Sequence, residues 1–241
     1  MKLRTFDYRY ADAVLNDDRF SASRDELVTI LEQTEVPLLN PSELVSRKGG
    51  VKRRGRGGRR YFFLPVDQKE LNRKLDVAFD AQGWAVHPLI VDLGRPGGPK
   101  TRLAADYKKD RLHVEVQFGN MARWYSDVFK FQLSYSLDEI DVAVLVVPTQ
   151  PLANLIDENV AYFERVCREL PWAKMSLTLP IWVIGIEPDD IGPVRDCYAA
   201  AAAAFLASQG NEIAGVETIP FEQRIREEPP EDPEMGEDAE V

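Results

Sequence analysis

The chain has 241 residues, of which 44% are hydrophobic and 10% aromatic, enough for one substantial domain with a buried core. No apolar run approaches the roughly 18 residues of a membrane span. The N-terminus lacks the apolar core of a secretory signal, so we expect a cytoplasmic protein with no membrane association. The net charge of −10 disfavours a nucleic-acid partner unless basic residues are gathered on one face.

Hydrophobic periodicity along the chain predicts an alternation of helices and strands. We predict that Ser23 caps the second helix at its N-terminus and that Gly83 ends the third helix. The order of these elements predicts an α/β fold with a central mixed β-sheet flanked by helices. The predicted helices cover residues 6–16, 24–34, 67–82, 123–137, 159–170 and 194–208, and the predicted strands cover 84–91, 112–118, 140–147 and 179–186.

The charge is distributed unevenly. Residues 47–60 contain eight basic residues and no acidic one, whereas residues 222–241 contain nine acidic and two basic residues. The Arg/Gly-rich run lacks a packing face, so it is either a solvated loop or an arm that orders against phosphates. We predict a single domain over residues 1–221, with 47–60 as a basic arm or loop within it and 222–241 as an acidic, disordered tail.

The most informative stretch is Leu112–Phe118, in which apolar residues alternate with polar ones. A period of two predicts a half-buried strand with Glu115 and Gln117 on the face opposite the core. Asp106 precedes Glu115 by nine residues, and the polar segment Lys108–Arg111 between them predicts a hairpin turn. Such a hairpin would bring two carboxylates together at a spot suited to a hard divalent cation.

Paired carboxylates of this kind fit the hydrolysis of a phosphodiester bond, which requires a metal ion, a positioned water and stabilisation of the leaving oxygen. The position two residues after the second carboxylate lies on the same strand face, and here it is Gln117. Glutamine carries no charge but can hold a water or a phosphate oxygen by hydrogen bonds. By itself, the spacing D-x8-E-x-Q is a weak pattern that any acidic amphipathic hairpin could show.

The segment Asp106–Asn120 resembles the BglII-type restriction endonucleases, which include BstYI. These enzymes have an acidic residue, eight intervening residues, the sequence Glu-Val-Gln-Phe, then a small residue and Asn, as in this chain. The opening at residues 1–15 and the strand at 179–186 are similar to the same family. The resemblance implies the restriction-endonuclease-like core of the PD-(D/E)xK superfamily, in the variant that has Gln in the position of the usual Lys.

This resemblance also implies roles for individual residues. Asp106, Glu115 and the backbone carbonyl of Val116 would bind Mg²⁺, and Gln117 would position the attacking water or the scissile phosphate. Asn120 falls where these enzymes read bases in the major groove, and Asn159 is a second candidate for base reading. We further expect contacts with DNA from Arg53, Arg54 and Arg56 in the basic run and from Lys108 and Lys109 in the turn.

Two hypotheses follow. The first is a Mg²⁺-dependent type II restriction endonuclease that cuts double-stranded DNA by direct attack of water and leaves 5′-phosphate ends. A homodimer is expected because a palindrome is read by two subunits related by a twofold axis, and the resemblance implies a palindrome with a GATC core. The second is a non-catalytic nucleic-acid-binding module that uses the Arg/Gly-rich arm. Carboxylates more than about 8 Å apart would favour the second hypothesis, because one ion could not bridge them.

Overall fold

The computed structural model describes residues 1–47, 50–54, 60–92, 102–157, 159–174, 176–209 and 217–218. The strands are β1 (Lys2–Tyr8), β2 (Val51–Arg54), β3 (Arg60–Phe63), β4 (Ala85–Val86), β5 (Leu89–Asp92), β6 (Arg102–Ala104), β7 (Tyr107–Lys109), β8 (Leu112–Val116), β9 (Val142–Pro148), β10 (Ile181–Glu187) and β11 (Glu217–Thr218). The helices are α1 (Ala11–Leu15), α2 (Ser21–Gln33), α3 (Pro41–Ser46), α4 (Gln68–Ala81), α5 (Arg123–Ser136), α6 (Gln150–Ile156), α7 (Phe163–Glu169), followed by a 3-10 turn at Leu170–Ala173, and α8 (Gly192–Gln209).

A six-stranded mixed sheet organises the fold, with strand order β1-β10-β9-β8-β7-β4. The central strands β8, β9 and β10 are parallel, and β7 and β1 pair with them antiparallel on either side. The continuous apolar runs in β9 and β10 follow from this position, because central strands covered on both faces cannot expose polar side chains. The predicted α/β fold with a central mixed sheet is confirmed.

Helices cover both faces of this sheet. Side chains of β9 alternate between two cores: Val144 and Val146 join the core formed with α1, α2, α4 and α8, whereas Leu145 and Val147 join the core formed with α5 and α7. The predicted helices that correspond to α4, α5 and α8 are confirmed. Asp67 accepts a hydrogen bond at the start of α4, and Gly83 follows its end with a φ of 76°, a conformation that favours glycine.

The predicted helix over residues 6–16 is wrong at its start. Residues up to Tyr8 form β1, which pairs along its whole length with β10 at the edge of the sheet, and only α1 is helical. Pairing with a distant strand outweighs the local helical pattern here. The predicted N-cap Ser23 is also wrong: it lies inside α2, is buried, and donates to Asp110 Oδ2 at 2.6 Å.

Three further segments differ from the prediction. The strand predicted over 84–91 is interrupted at His87, whose φ is 52°, so β4 joins the main sheet and β5 pairs with β6 instead. The helix predicted over 159–170 begins at Phe163, and the short helices α3 and α6 were not predicted. In the basic run, Val51–Arg54 and Arg60–Phe63 pair as strands rather than forming an open loop throughout. Residues 48–49, 55–59 and 93–101 lie outside the described part of the chain, as does the predicted acidic tail.

Within the described residues, no helix is both long enough and apolar enough to span a bilayer.

Candidate active site

The hairpin β7–β8 brings Asp106 to Glu115. Its turn consists of Asp110 and Arg111, both with positive φ (47° and 63°), so it is tighter than the four-residue turn predicted from the sequence. Tyr107 pairs with Val114, and the same register sets Asp106 opposite Glu115. The backbone N–H of Val116 donates to Asp106 Oδ2 at 2.8 Å, which fixes the aspartate against the end of β8. Both carboxyl groups line the same cleft and interact electrostatically, so the hairpin brings the two acids together.

The polar face of β8 is not exposed, contrary to the expectation of a half-buried strand. His113 and Glu115 are both buried, because α5 lies over this face and packs Phe131 edge-on against the imidazole, with ring centroids 4.8 Å apart. His113 Nε2 lies 2.7 Å from Glu115 Oε1. Burial, and then the charges of Lys108 and Lys130, lower the pKa of His113 to about 3, so this imidazole is neutral at physiological pH.

Both carboxyl groups hold protons more tightly than exposed acids do. Burial, reinforced by the negative charge of Glu115, raises the pKa of Asp106 to about 6. Burial likewise raises the pKa of Glu115 to about 8, against the opposing charge of Lys130. Two acids that are buried side by side resist ionisation unless a cation compensates them. The pocket is therefore short of positive charge once both carboxyl groups are ionised.

Helix α5 contributes a third acid, Asp127, and a lysine, Lys130, to the same pocket. The Lys130 ammonium group bonds to Glu115 Oε2, lies 3.1 Å from Asp127 Oδ1, and donates to the backbone carbonyl of Ala104 at 3.3 Å. Burial opposes its charge, but Glu115 and Asp127 outweigh this effect and raise the pKa of Lys130. Gln117 donates from Nε2 to Asp127 Oδ2 at 2.5 Å and accepts at Oε1 from the backbone N–H of Gly119 at 2.7 Å.

These groups line one cleft of about 370 Å³ at the C-terminal end of β8. Sequence reasoning identified Asp106, Glu115, Val116 and Gln117 in its wall but missed the contribution of helices α4 and α5. The missed residues on α5 recur at helical spacing within the helix predicted over 123–137, and that polar stripe was the signal that could have revealed them. The residues missed are Gln68 and Asn72 on α4 and Arg123, Ser126, Asp127 and Lys130 on α5.

The two candidate base-reading residues lie together in the adjoining part of the cleft. Asn120 forms an isolated antiparallel bridge with Val160, and the backbone N–H of Met121 donates to the carbonyl of Asn159 at 2.7 Å. Asn120 and Asn159 are both exposed. The Asn120 side-chain oxygen accepts from the N–H of Ala122 at 2.9 Å, which orients its amide. Asn159 lies in a turn that precedes α7, so it is not part of the predicted helix.

The two candidate phosphate-contacting lysines, Lys108 and Lys109, are held in ion pairs away from the cleft. Lys108 is paired with Glu139 at 2.5 Å, and Lys109 is paired with Glu26 at 2.6 Å and donates to the carbonyl of Gln82. Neither lysine lines the cleft, and both are held in β7 rather than in a solvated turn. The backbones of Arg53 and Arg54 lie in β2, whereas Arg56 lies outside the described residues.

The residues of the cleft fit a hard divalent cation. Asp106 and Glu115 both offer carboxylate oxygens to the cleft, and burial raises the pKa of each, so a cation would favour their ionised forms. Mg²⁺ is usually bound by only one or two carboxylates together with water and substrate phosphates, so two carboxylates suffice. Among the described residues, no group of three or more His, Cys, Asp and Glu side chains could hold a metal ion. Binding of a cation here would therefore depend partly on water or substrate.

A sheet of this topology, with paired acids at the end of its central strand beneath a polar helix, defines an enzyme of the restriction-endonuclease-like class. The family model of restriction endonuclease BglII/BglIII matches residues 3–186. The chain therefore belongs to the BglII/BglIII restriction endonuclease family, and it is a type II site-specific deoxyribonuclease.

Solved structures agree with this assignment at the level of the fold. The chain is similar to restriction endonuclease BglII complexed with a DNA 16-mer, with a TM-score of 0.57 and 18% identity over 78% of each chain. It is also similar to free BglII, with a TM-score of 0.53 and 17% identity over 78% of this chain and 81% of the other. A search of curated proteins gave no match. The predicted restriction-endonuclease-like fold and family are confirmed.

Proposed function

We propose that this enzyme is a Mg²⁺-dependent homodimer that hydrolyses both strands of a short palindrome with a GATC core and leaves 5′-phosphate and 3′-hydroxyl ends. The observation that supports this proposal most directly is that the carboxyl groups of Asp106 and Glu115 line one cleft beside Gln117. The GATC core rests on the resemblance of the central motif to the family. Because such an enzyme acts on DNA that enters the cell, we also propose a cytoplasmic location.

The roles follow from the chemistry of each group. Asp106, Glu115 and the carbonyl of Val116 would hold Mg²⁺, which when bound polarises the scissile phosphate and lowers the pKa of a water. Gln117 has both ends of its amide fixed, by Asp127 and by Gly119, so it would present a rigid hydrogen-bonding group to the water or the phosphate. The Val116 N–H holds Asp106 against the end of β8, so its carboxylate would be positioned for a cation.

Base reading is assigned to Asn120 and Asn159. Both are exposed in the cleft that continues from the carboxylates, and a side-chain amide can bond an adenine edge with two hydrogen bonds. Asn120 follows β8 by only a few residues, so reading and cutting would be mechanically linked. We further propose that DNA is contacted by Lys108, Lys109, Arg53, Arg54 and Arg56. Lys108 and Lys109 are held in ion pairs with Glu139 and Glu26, which contact with DNA would replace.

A twofold dimer is supported by the symmetry of a palindrome and by an exposed apolar face. On α5, Tyr125 and Phe129 are four residues apart and are 49% and 59% exposed, on a different side from Asp127 and Lys130. Large aromatic side chains are enriched in protein interfaces. A second copy of the chain would cover this face and set two cleavage sites on one duplex. We also propose that residues 1–221 act as a single domain and that 222–241 are a disordered tail.

The proposal is tested by digesting unmethylated phage DNA with Mg²⁺ and sequencing the ends by run-off. The wild type is expected to give discrete fragments that share one end sequence. The Glu115→Gln variant keeps the shape of the side chain but removes its charge, and we expect no detectable cleavage at the same DNA binding. Asp25→Asn, an exposed acid on α2, is the matched control and should cut normally. Salt-sensitive binding without cleavage in Mg²⁺ or Mn²⁺ would instead support the non-catalytic binding module.

A further inference from the structure

The active-site cleft contains a lysine that the sequence motif does not provide. Gln117 occupies the strand position at which related nucleases usually have a lysine, so β8 supplies no positive charge to the cleft. The basic residues that line the cleft in the described part of the chain are Arg123 and Lys130. Of these, Lys130 bonds directly to Glu115, and its side chain is only 14% exposed. A lysine is rarely buried without a partner, and here its partners are active-site groups.

Gln117 and Lys130 are joined through one carboxylate. Gln117 Nε2 donates to Asp127 Oδ2 at 2.5 Å, and Lys130 Nζ lies 3.1 Å from Asp127 Oδ1. Asp127 and Lys130 are three residues apart on α5, so they lie on the same face of the helix. Gln117 thus holds Asp127, and Asp127 in turn holds the ammonium group of Lys130. This connection gives a physical reason for finding glutamine and lysine together in this cleft.

We propose that Lys130 is a catalytic residue: its ammonium group, delivered from α5 and anchored by Asp127, stabilises the charge that develops on the scissile phosphate. This inference rests on the proposed function. A divalent cation held by Asp106 and Glu115 would neutralise Glu115, so Glu115 would no longer need Lys130 as its partner. The flexible four-carbon side chain of Lys130 would then be free to turn its ammonium group towards a non-bridging phosphate oxygen, with Asp127 as its remaining partner.

The reaction served by Lys130 requires only the DNA and water. A water oxygen attacks phosphorus, the bond between phosphorus and O3′ breaks, and the electron pair stays on O3′. The proton lost by the water passes to solvent, and O3′ takes up a proton to give the 3′-hydroxyl. Lys130 stays protonated throughout and acts by charge alone, as a donor aimed at an oxygen that becomes more negative in the transition state.

A purely structural role for Lys130 makes different predictions. If the ammonium group only neutralised buried acids, its removal would weaken folding or change the affinity for the divalent cation, with little effect on cleavage at saturating Mg²⁺. Catalytic and structural roles are therefore separated by measuring folding, Mn²⁺ binding, DNA retention and single-turnover cleavage on the same variants. The DNA is a duplex that contains the site found by run-off sequencing.

The first variant is Lys130→Met, with Lys2→Met as the matched control. Lys2 is an exposed lysine in β1 at the opposite edge of the sheet, so its replacement makes the same charge change away from the cleft. We expect Lys130→Met to cut about 10²- to 10³-fold more slowly at saturating Mg²⁺, the loss usual for one electrostatic donor. Its affinity for uncut duplex in EDTA and its affinity for Mn²⁺ should not weaken by more than about threefold, which is small beside the expected loss of cleavage rate.

The second variant removes folding as an explanation. Lys130→Cys is purified, and half of the preparation is alkylated with 2-bromoethylamine, which restores an ammonium group at nearly the original length. Wild type treated in the same way controls for Cys167 and Cys197, which are only partly exposed. A cleavage rate at least tenfold higher after alkylation supports the catalytic role, because the alkylated and untreated samples contain the same folded polypeptide.

Several results would overturn the inference. Cleavage by Lys130→Met within threefold of wild type would show that the ammonium group is not needed. Loss of Mn²⁺ binding or of folding, without recovery on alkylation of Lys130→Cys, would assign Lys130 a structural role only. If the wild type itself cut no DNA while Lys130→Met was folded, the proposed function would fail, and this inference would fail with it.

Discussion

The strongest consequence of the cleft's electrostatics is a steep dependence of cation binding on pH. Asp106 and Glu115 have pKa values raised to about 6 and about 8, and both must be ionised to hold a divalent cation. Taken as the two apparent pKa values of the interacting pair, they leave about 0.5% of molecules with both groups ionised at pH 6 and about 50% at pH 8. We therefore expect the affinity for Mg²⁺, and cleavage at a subsaturating Mg²⁺ concentration, to rise about 100-fold between pH 6 and pH 8.

The same raised pKa values make the free energy of unfolding depend on pH. An acid whose pKa is higher in the folded protein stabilises the fold below its unfolded pKa, and this contribution is lost as the pH rises through the folded value. Without a cation, Asp106 and Glu115 should therefore lower the free energy of unfolding as the pH rises through about 6 and about 8. Added Mg²⁺ should reverse this trend, so the increase in Tm caused by Mg²⁺ should be small at pH 6 and large at pH 8.

The assay is Mn²⁺ binding followed by electron paramagnetic resonance across this pH range, together with single-turnover cleavage at fixed, subsaturating Mg²⁺. Asp106→Asn removes one of the two titrating groups, so it should weaken binding and flatten the pH dependence. Asp25→Asn, whose carboxylate lies at the surface, should follow the wild-type curve. A Mn²⁺ affinity that changes by less than about threefold between pH 6 and pH 8 would refute the reasoning, because at least one proton must leave the site on binding.

Three further changes test other parts of the structure. Gly185→Ala in β10 would bring a Cβ atom to 2.6 Å from Phe163 Cγ, so urea unfolding should show a loss of about 1–3 kcal/mol, and an unchanged midpoint would contradict this packing. Asn40 caps α3 by accepting from the Glu43 N–H at 2.8 Å, so Asn40→Ala should lose about 1 kcal/mol in the same assay, whereas Asn40→Gly should lose much less. Asn120→Ala should lose about 1–3 kcal/mol of discrimination, measured as the ratio of cleavage rates on the cognate site and on sites with one changed base pair; a uniform loss on all sites would argue against base reading.

The hairpin with its two acids was predictable because its determinants are local. Glu115 follows Asp106 after only eight intervening residues, and a short antiparallel hairpin leaves few possible registers for them. The buried strands β9 and β10 were equally predictable, because continuous apolar runs are typical of central parallel strands. The N-terminal strand β1 was not, since its pairing with β10 joins residues about 180 positions apart, and no local pattern reports such a contact.

The environment of the acids could not be predicted from β8 alone. Alternation along the strand indicated one exposed polar face, but alternation says only which side chains share a face and not what covers that face. Helix α5 covers it, and the consequence is the burial of His113 and Glu115. The raised pKa values, and with them the expected pH dependence, follow from this long-range packing rather than from the motif.

Burial also explains why a helix with a polar stripe was needed to complete the cleft. An apolar helix over β8 would leave the ionised carboxylates without any partner in a medium where charges are costly. Lys130 relieves this cost by bonding to Glu115, whereas Asp127 holds Lys130 and Gln117 in place. The same bonds can be exchanged for contacts with a divalent cation and a phosphate, whereas packed apolar side chains could not. A cleft that is stable without its substrate and reactive with it therefore requires polar groups on both the strand and the helix.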